Sequence, residues 1–210
     1  MKKITSIVII MISTLILGCQ TPSISNDEKN RIESVRTTLT DSLGYSIETE
    51  QSSFQFQDIN TVTKSKSTLS KGQLYKLTCS KSDEENSFIV YYGKFDNSSS
   101  GKKGAKADYE KKKANCEQLP NITSKEVQNT NGTTIYYVNS DLSSSATTTD
   151  TAEDGTVTAS NESSNHKIFY VMLIYSETQN EVSVINYQGP MTDDEITSYS
   201  TKILETFGWN

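Results

Sequence analysis

Lys102, Lys103, Lys106, Lys111, Lys112 and Lys113 concentrate positive charge in a chain whose formal net charge is −6 at pH 7. Ammonium groups at that density can hold anionic lipid headgroups or wall polymers, with a strength that falls as salt rises. On a helix with no partner they form a solvated face, and the sequence leaves both readings open. Acidic residues gather at Asp83-Glu84-Glu85, at Asp150 to Asp154 and at Asp193-Asp194-Glu195. The middle group compares with a calcium loop, with Asp150, Asp154 and Gly155 at its first, fifth and sixth positions. Ala152 and Asn161 then stand at the third and twelfth, where an oxygen ligand and a bidentate glutamate are needed, so the match fails. Carboxylates of the third group complement the dipole of a helix's first turn. The one histidine, His166, has no further ligands or nucleophile at a workable spacing. The expectation is no metal, no cofactor and no catalytic set.

Cysteine chemistry is more informative. Met1-Lys2-Lys3 precedes an uncharged run from Ile4 to Leu17, the pattern of a secretory signal peptide. The run is shorter than the roughly 20 apolar residues of a spanning helix. Its end, Ile16-Leu17-Gly18-Cys19, resembles the lipobox of bacterial lipoproteins, in which a small residue precedes the cysteine that is diacylated and becomes N-terminal. Gly18 and Cys19 fit that pattern; Leu17 stands where a small residue is more usual. The resemblance implies cleavage between Gly18 and Cys19, acyl chains on the Cys19 thiol, and attachment to the extracytoplasmic face of a bacterial cell membrane.

Loss of Lys2 and Lys3 with residues 1–18 moves the formal charge from −6 to −8 and leaves 192 of the 210 residues, enough for one domain. Net acidity argues against nucleic acid as a partner. Cys79 and Cys116 remain, in a compartment where disulfides persist. They form either one bridge, contributing roughly 3 to 4 kcal/mol, or two buried free thiols. No CxxC motif marks them as catalytic.

The elements that would position these groups follow from periodicity. Residues 19–26 read as a short tether and 27–210 as the folded domain. Ser25 with Glu28 forms a capping box, followed by an apolar stripe at Ile32, Val35, Leu39 and Leu43 and a stop at Gly44. Phe54 and Phe56 alternate with polar residues, and the strand holding Tyr75, Leu77 and Cys79 should form a hairpin with Ser87 to Phe95. Asp96 to Gly104 reads as a loop and Lys103 to Gln118 as a helix. Val127 to Val138, centred on Asn131-Gly132, predicts another hairpin. Residues 140–165 are almost wholly polar or small, bury too little apolar surface to offset their ordering entropy, and predict a mobile excursion. Lys167 to Tyr175, apolar on both faces, and Glu181 to Tyr187 predict central strands. Thr192 with Glu195 caps a last helix with Ile196, Tyr199, Ile203 and Phe207 on one face. The adjacent pairs Tyr91-Tyr92 and Tyr136-Tyr137 must point to opposite faces of their strands, one in the core and one free for contact, or both in core packing.

Helix, strands, helix, strands, helix predicts an α+β domain with a mainly antiparallel sheet flanked by three helices. The closing pair of strands and terminal helix resembles the PsbP/Mog1-type lipoprotein domains, whose sheets are flanked by helices; the resemblance is one of element order and carries no residue roles. The functional expectation is a non-catalytic binding or accessory module at the membrane surface, its partner an envelope protein or polymer. A small-ligand receptor with a pocket between sheet and helices is the alternative, and an envelope hydrolase a third.

Overall fold

The computed structural model describes residues 26–63, 66–81, 86–141, 148–151, 154–160, 168–189 and 192–207. It is an α+β fold. Helix α1 (Asn26–Thr37) buries Ile32 and Val35, and Leu39 and Leu43 continue the same stripe through a π turn at Thr38–Ser42. There the Leu43 N–H donates to the Thr38 carbonyl at 3.0 Å. Gly44, at φ 74°, then turns the chain into the sheet, where a side chain would be strained. The capping residue Ser25 lies outside the described residues.

The strands are β1 (Ser46–Thr63), β2 (Lys66–Lys81), β3 (Asn86–Phe95), β4 (Ile122–Gln128), β5 (Thr133–Asp141), β8 (Ile168–Ser176) and β9 (Glu181–Gln188). They form one antiparallel sheet in the order β1-β2-β3-β9-β8-β5-β4. Helix α2 (Ser99–Cys116) carries the chain from β3 to β4 at the far edge, and the later strands return to the middle. All eight residues of β9 except Gln188 are buried, so both faces of the sheet's centre are covered. Helix α3 (Asp193–Phe207) closes the chain under the expected capping box: the Thr192 N–H donates to Glu195 Oε2 at 2.9 Å and the Glu195 N–H to Thr192 Oγ1 at 3.3 Å.

Two cores result. On one face Tyr75, Leu77 and Cys79 of β2 pack with α1, α3 and the ring of Phe88. On the other, Ala105, Tyr109 and Cys116 of α2 pack with Tyr91, Val171 and Val184. Every described residue of both cores lies between Ile32 and Leu204.

This division bears on the choice between one bridge and two buried thiols. Cys79 and Cys116 are free, buried on opposite faces of the sheet, because alternation along β2 sends Cys79 away from α2. Burial pushes Cys79 up to about 11, with Glu48 adding to it, and Cys116 up to about 12, with Glu117 adding. In a Cys19→Ser chain, a thiol reagent should titrate both cysteines in denaturant and neither in the native state, and reduction should leave the mass unchanged.

Two further expectations shift. The segment read as a loop before α2 holds the helix cap: Ser98 Oγ accepts from the Gly101 N–H at 3.0 Å, so α2 begins at Ser99. Gly101 and Gly104 belong to the helix, because a Cβ at 104 would collide with Ser70 of β2. The polar excursion also buries more than its composition suggests. Strands β6 (Thr148–Thr151) and β7 (Val157–Ser160) pair as a small hairpin, with Gly155, Thr156 and Val157 buried. Gly155, at φ 75°, lies where a Cβ would meet the Tyr91 ring at 2.5 Å. Three well-placed small residues suffice to dock a segment that is polar by count. Residues 142–147, 152–153 and 161–167, including His166, lie outside the described residues, as does the acidic group at 83–85.

Candidate functional site

Helices α1 and α3 do not cover the whole of their face. Among the described residues their core buries side chains of β2, β3, β9 and β8 and Ile135 of β5, with Tyr137 of β5 packed half-buried at its margin and no residue of β4. The uncovered strip beside α3 is a groove of about 410 Å³. Tyr137 and Tyr170 form its floor, with ring centroids 6.4 Å apart and planes tilted by 38°. Lys125 and Val127 of β4 make one wall. Thr197, Ser200, Thr201 and Leu204 make the other, at the i, i+3, i+4, i+7 spacing of one helix face. The groove continues along β4 as a shallower section of about 170 Å³ between Thr123, Ser124 and Asn139.

The backbone of β4 adds a second feature. Asn129 N–H donates to the Thr133 carbonyl at 2.9 Å and closes the β4–β5 turn, in which Gly132 takes φ 82°. Antiparallel alternation then directs the backbone of Val127, Lys125 and Thr123 to β5 and that of Gln128, Glu126 and Ser124 outward. β4 is an outermost strand of the sheet, with six of its seven residues exposed. Among the described residues an open row of donors and acceptors therefore runs beside a groove lined by aromatic rings and hydroxyls.

The groove's tyrosines stay protonated at neutral pH. Burial pushes Tyr170 up to about 12, offset in part by its hydrogen bond to Ser200, and burial also raises Tyr137. Both phenols can donate as well as accept. Across the fold, burial holds Tyr75, Tyr91 and Tyr109 above the ordinary value and Tyr175 at about 12. An unfolded chain ionises its thiols and phenols near pH 9 to 10 and the native chain does not, so the native state binds more protons there. Stability from these groups is complete below about pH 9 and is lost as pH rises through 10 to 12. Urea midpoints measured across that range should fall steeply.

The six lysines are split. Lys112 is buried and ion-paired with Asp108 at 2.6 Å, Lys111 meets Asp154 at 3.3 Å, and Lys113 is ion-paired with Glu126. These three are held by acids of this chain. Lys102, Lys103 and Lys106 are exposed. The tyrosine pairs divide too: Tyr91 and Tyr92 are both buried, on opposite faces, whereas Tyr136 is buried and Tyr137 half-buried in the groove. Sequence reasoning named Tyr137 but missed Tyr170, hidden in an apolar strand, and Lys125. The second stripe of α3 at 197, 200, 201 and 204 was legible and overlooked beside the apolar one.

Among the described residues other candidate side chains are few. No three of His, Cys, Asp and Glu gather to hold a metal. The most buried carboxylate, Glu181, accepts on Oε1 from Tyr92 Oη at 2.7 Å, Arg31 Nη2 at 3.0 Å and Lys94 Nζ at 3.1 Å. That constellation pins α1 to the start of β9. Fold and groove together define an α+β sheet protein with an open edge strand next to a half-closed, tyrosine-floored channel. No family model, curated protein or solved structure matches this chain.

Proposed function

We propose that this chain is a lipid-anchored envelope protein, held through Cys19 at the extracytoplasmic membrane face, that acts by binding an extended segment of a partner protein along β4. The observation that carries this reading is the pairing of an open strand edge with a continuous side-chain groove. Main-chain bonds to the edge supply affinity and the groove reads alternate side chains of an added strand. Among the described residues the lining holds the cation of Lys125 and no carboxylate, which favours a segment with acidic or hydroxyl side chains. Six residues lie between Cys19 and Asn26, so even a fully extended tether of seven residue steps keeps the start of α1 within about 25 Å of the lipid. The partner is then a membrane protein or one arriving at the membrane surface.

The test is in-cell crosslinking of the native protein, with mass spectrometry of what co-purifies and Cys19→Ser as control. One dominant protein partner, lost with the anchor, is the expected result. Cys19→Ser protein that still resists an alkaline wash of the membranes would refute the anchoring. A second reading, a small-ligand receptor, is favoured by the groove's volume, which falls in the range of ligand pockets. Tight binding of a small molecule with a raised melting temperature, and no protein partner, would put it first.

A further inference from the structure

One end of the molecule is basic in an otherwise acidic chain, and it is the end where the tether arrives. Strands β1 and β2 pair with each other well beyond the rest of the sheet: β3 joins β2 only from Gly72 onward. The six residues from Lys66 to Lys71 therefore form an arm reaching about 20 Å past the sheet. Helix α2 lies on one face of that arm, Gly104 against Ser70. Its first turn carries no acid, and Lys102, Lys103 and Lys106 follow within two turns. Cations there oppose the helix dipole, although the Asp96 carboxylate stands at the helix start and accepts from the Ser98 N–H at 2.9 Å. Lys66 and Lys71 on the arm are exposed as well; in the register Lys66 stands opposite Thr63 and Lys71 opposite Asp58. Leu69, 62% exposed, stands on the arm face turned away from Ser70.

The course of α1 places the anchor at the same end. Arg31 meets Gln179 and Glu181 at the β8–β9 turn, and Glu181 pairs with Lys94 beside the base of the arm. From there α1 runs toward Tyr45, which packs on Phe88 at the opposite end. The chain leading back to Cys19 thus leaves from the side where the arm and the exposed lysines project. We propose that the β1–β2 arm and the first two turns of α2 dock on anionic phospholipid headgroups, with Leu69 entering the interface. The lysines supply electrostatic attraction that falls off over a Debye length, and a tether of about 25 Å holds the domain near enough for repeated encounters with the surface.

The orientation rests on anchoring at Cys19, but the test does not. Residues 20–210, which contain both cores and no acylated cysteine, are floated with phosphatidylcholine vesicles made with or without phosphatidylglycerol. Expected is retention on the anionic vesicles alone, declining with salt. Lys102→Gln, Lys103→Gln and Lys106→Gln together should lower partitioning by roughly a hundredfold, and Leu69→Ser by several-fold, with unchanged thermal melting because all four side chains are exposed. Equal partitioning of the triple variant and the parent, equal retention on uncharged vesicles, or capture of soluble polyphosphate with no retention on vesicles would each overturn the proposal. Such a failure leaves the anchoring assignment standing, and a failed alkaline-wash retention leaves this result standing.

Discussion

Replacing Lys112 with methionine is expected to cost about 3 to 5 kcal/mol of stability, although the change keeps the length of the side chain and adds apolar character. Lys112 is 1% exposed, holds both oxygens of Asp108 at 2.6 Å, and sits with its ammonium 4.8 Å from the centre of the Tyr91 ring. Burial raises the Asp108 carboxyl above its ordinary value even against the pull of that ammonium. Without the ammonium, a desolvated carboxylate is left with no counter-charge under the β6–β7 hairpin. Two companion results separate this account from simple misfit. Asp108→Asn in the Lys112→Met background should recover most of the loss, because a neutral pair has no charge to strand. The single variant should regain stability as pH falls, since its folded state then binds a proton that the unfolded state does not. Urea unfolding reads all three; a loss below about 1 kcal/mol would mean that water reaches the pair.

Ser124→Pro is expected to abolish partner capture and leave stability nearly unchanged. The alternation along β4 points the Ser124 N–H away from β5, so proline removes no bond of the sheet, and edge strands tolerate it. What it removes is a donor to any added strand, and its ring blocks close approach of that strand. The neighbouring Lys125→Pro change serves as the contrast. Its N–H points to β5 across from Tyr137, so it should lower stability as well as binding. Partner recovery together with a melting curve distinguishes the two. Undiminished capture by the Ser124→Pro chain would mean that the partner is held elsewhere.

Much of the fold was legible because period and caps agreed. The stripe at Ile32, Val35, Leu39 and Leu43, the Thr192-Glu195 box and the two apolar strands each carried two local signals for one element, and each is present. Asn131-Gly132 announced a hairpin, and the turn takes a three-residue form with Gly132 at positive φ. What could not be read depends on which distant elements meet. Lys112 reads as a surface lysine until a hairpin some forty residues later closes over it, and its partner Asp108 is visible only as an i, i+4 neighbour. Cys79 and Cys116 are compatible with a bridge until strand alternation puts a sheet between them. The groove exists because β5 and β4 continue past the helices that cover the rest of that face, a matter of strand order. Strand order here jumps from β3 to the far edge and back, and no local pattern encodes that path.

The most direct test of the binding claim places a photo-crosslinking side chain at Lys125 in the groove and, separately, at Glu110 on the exposed face of α2, in cells carrying the native anchor. A single dominant protein adduct from position 125, absent from position 110 and lost when Ser124→Pro is added, is the predicted result. Equal adducts from both positions, or an adduct at 125 that survives the proline, would contradict it.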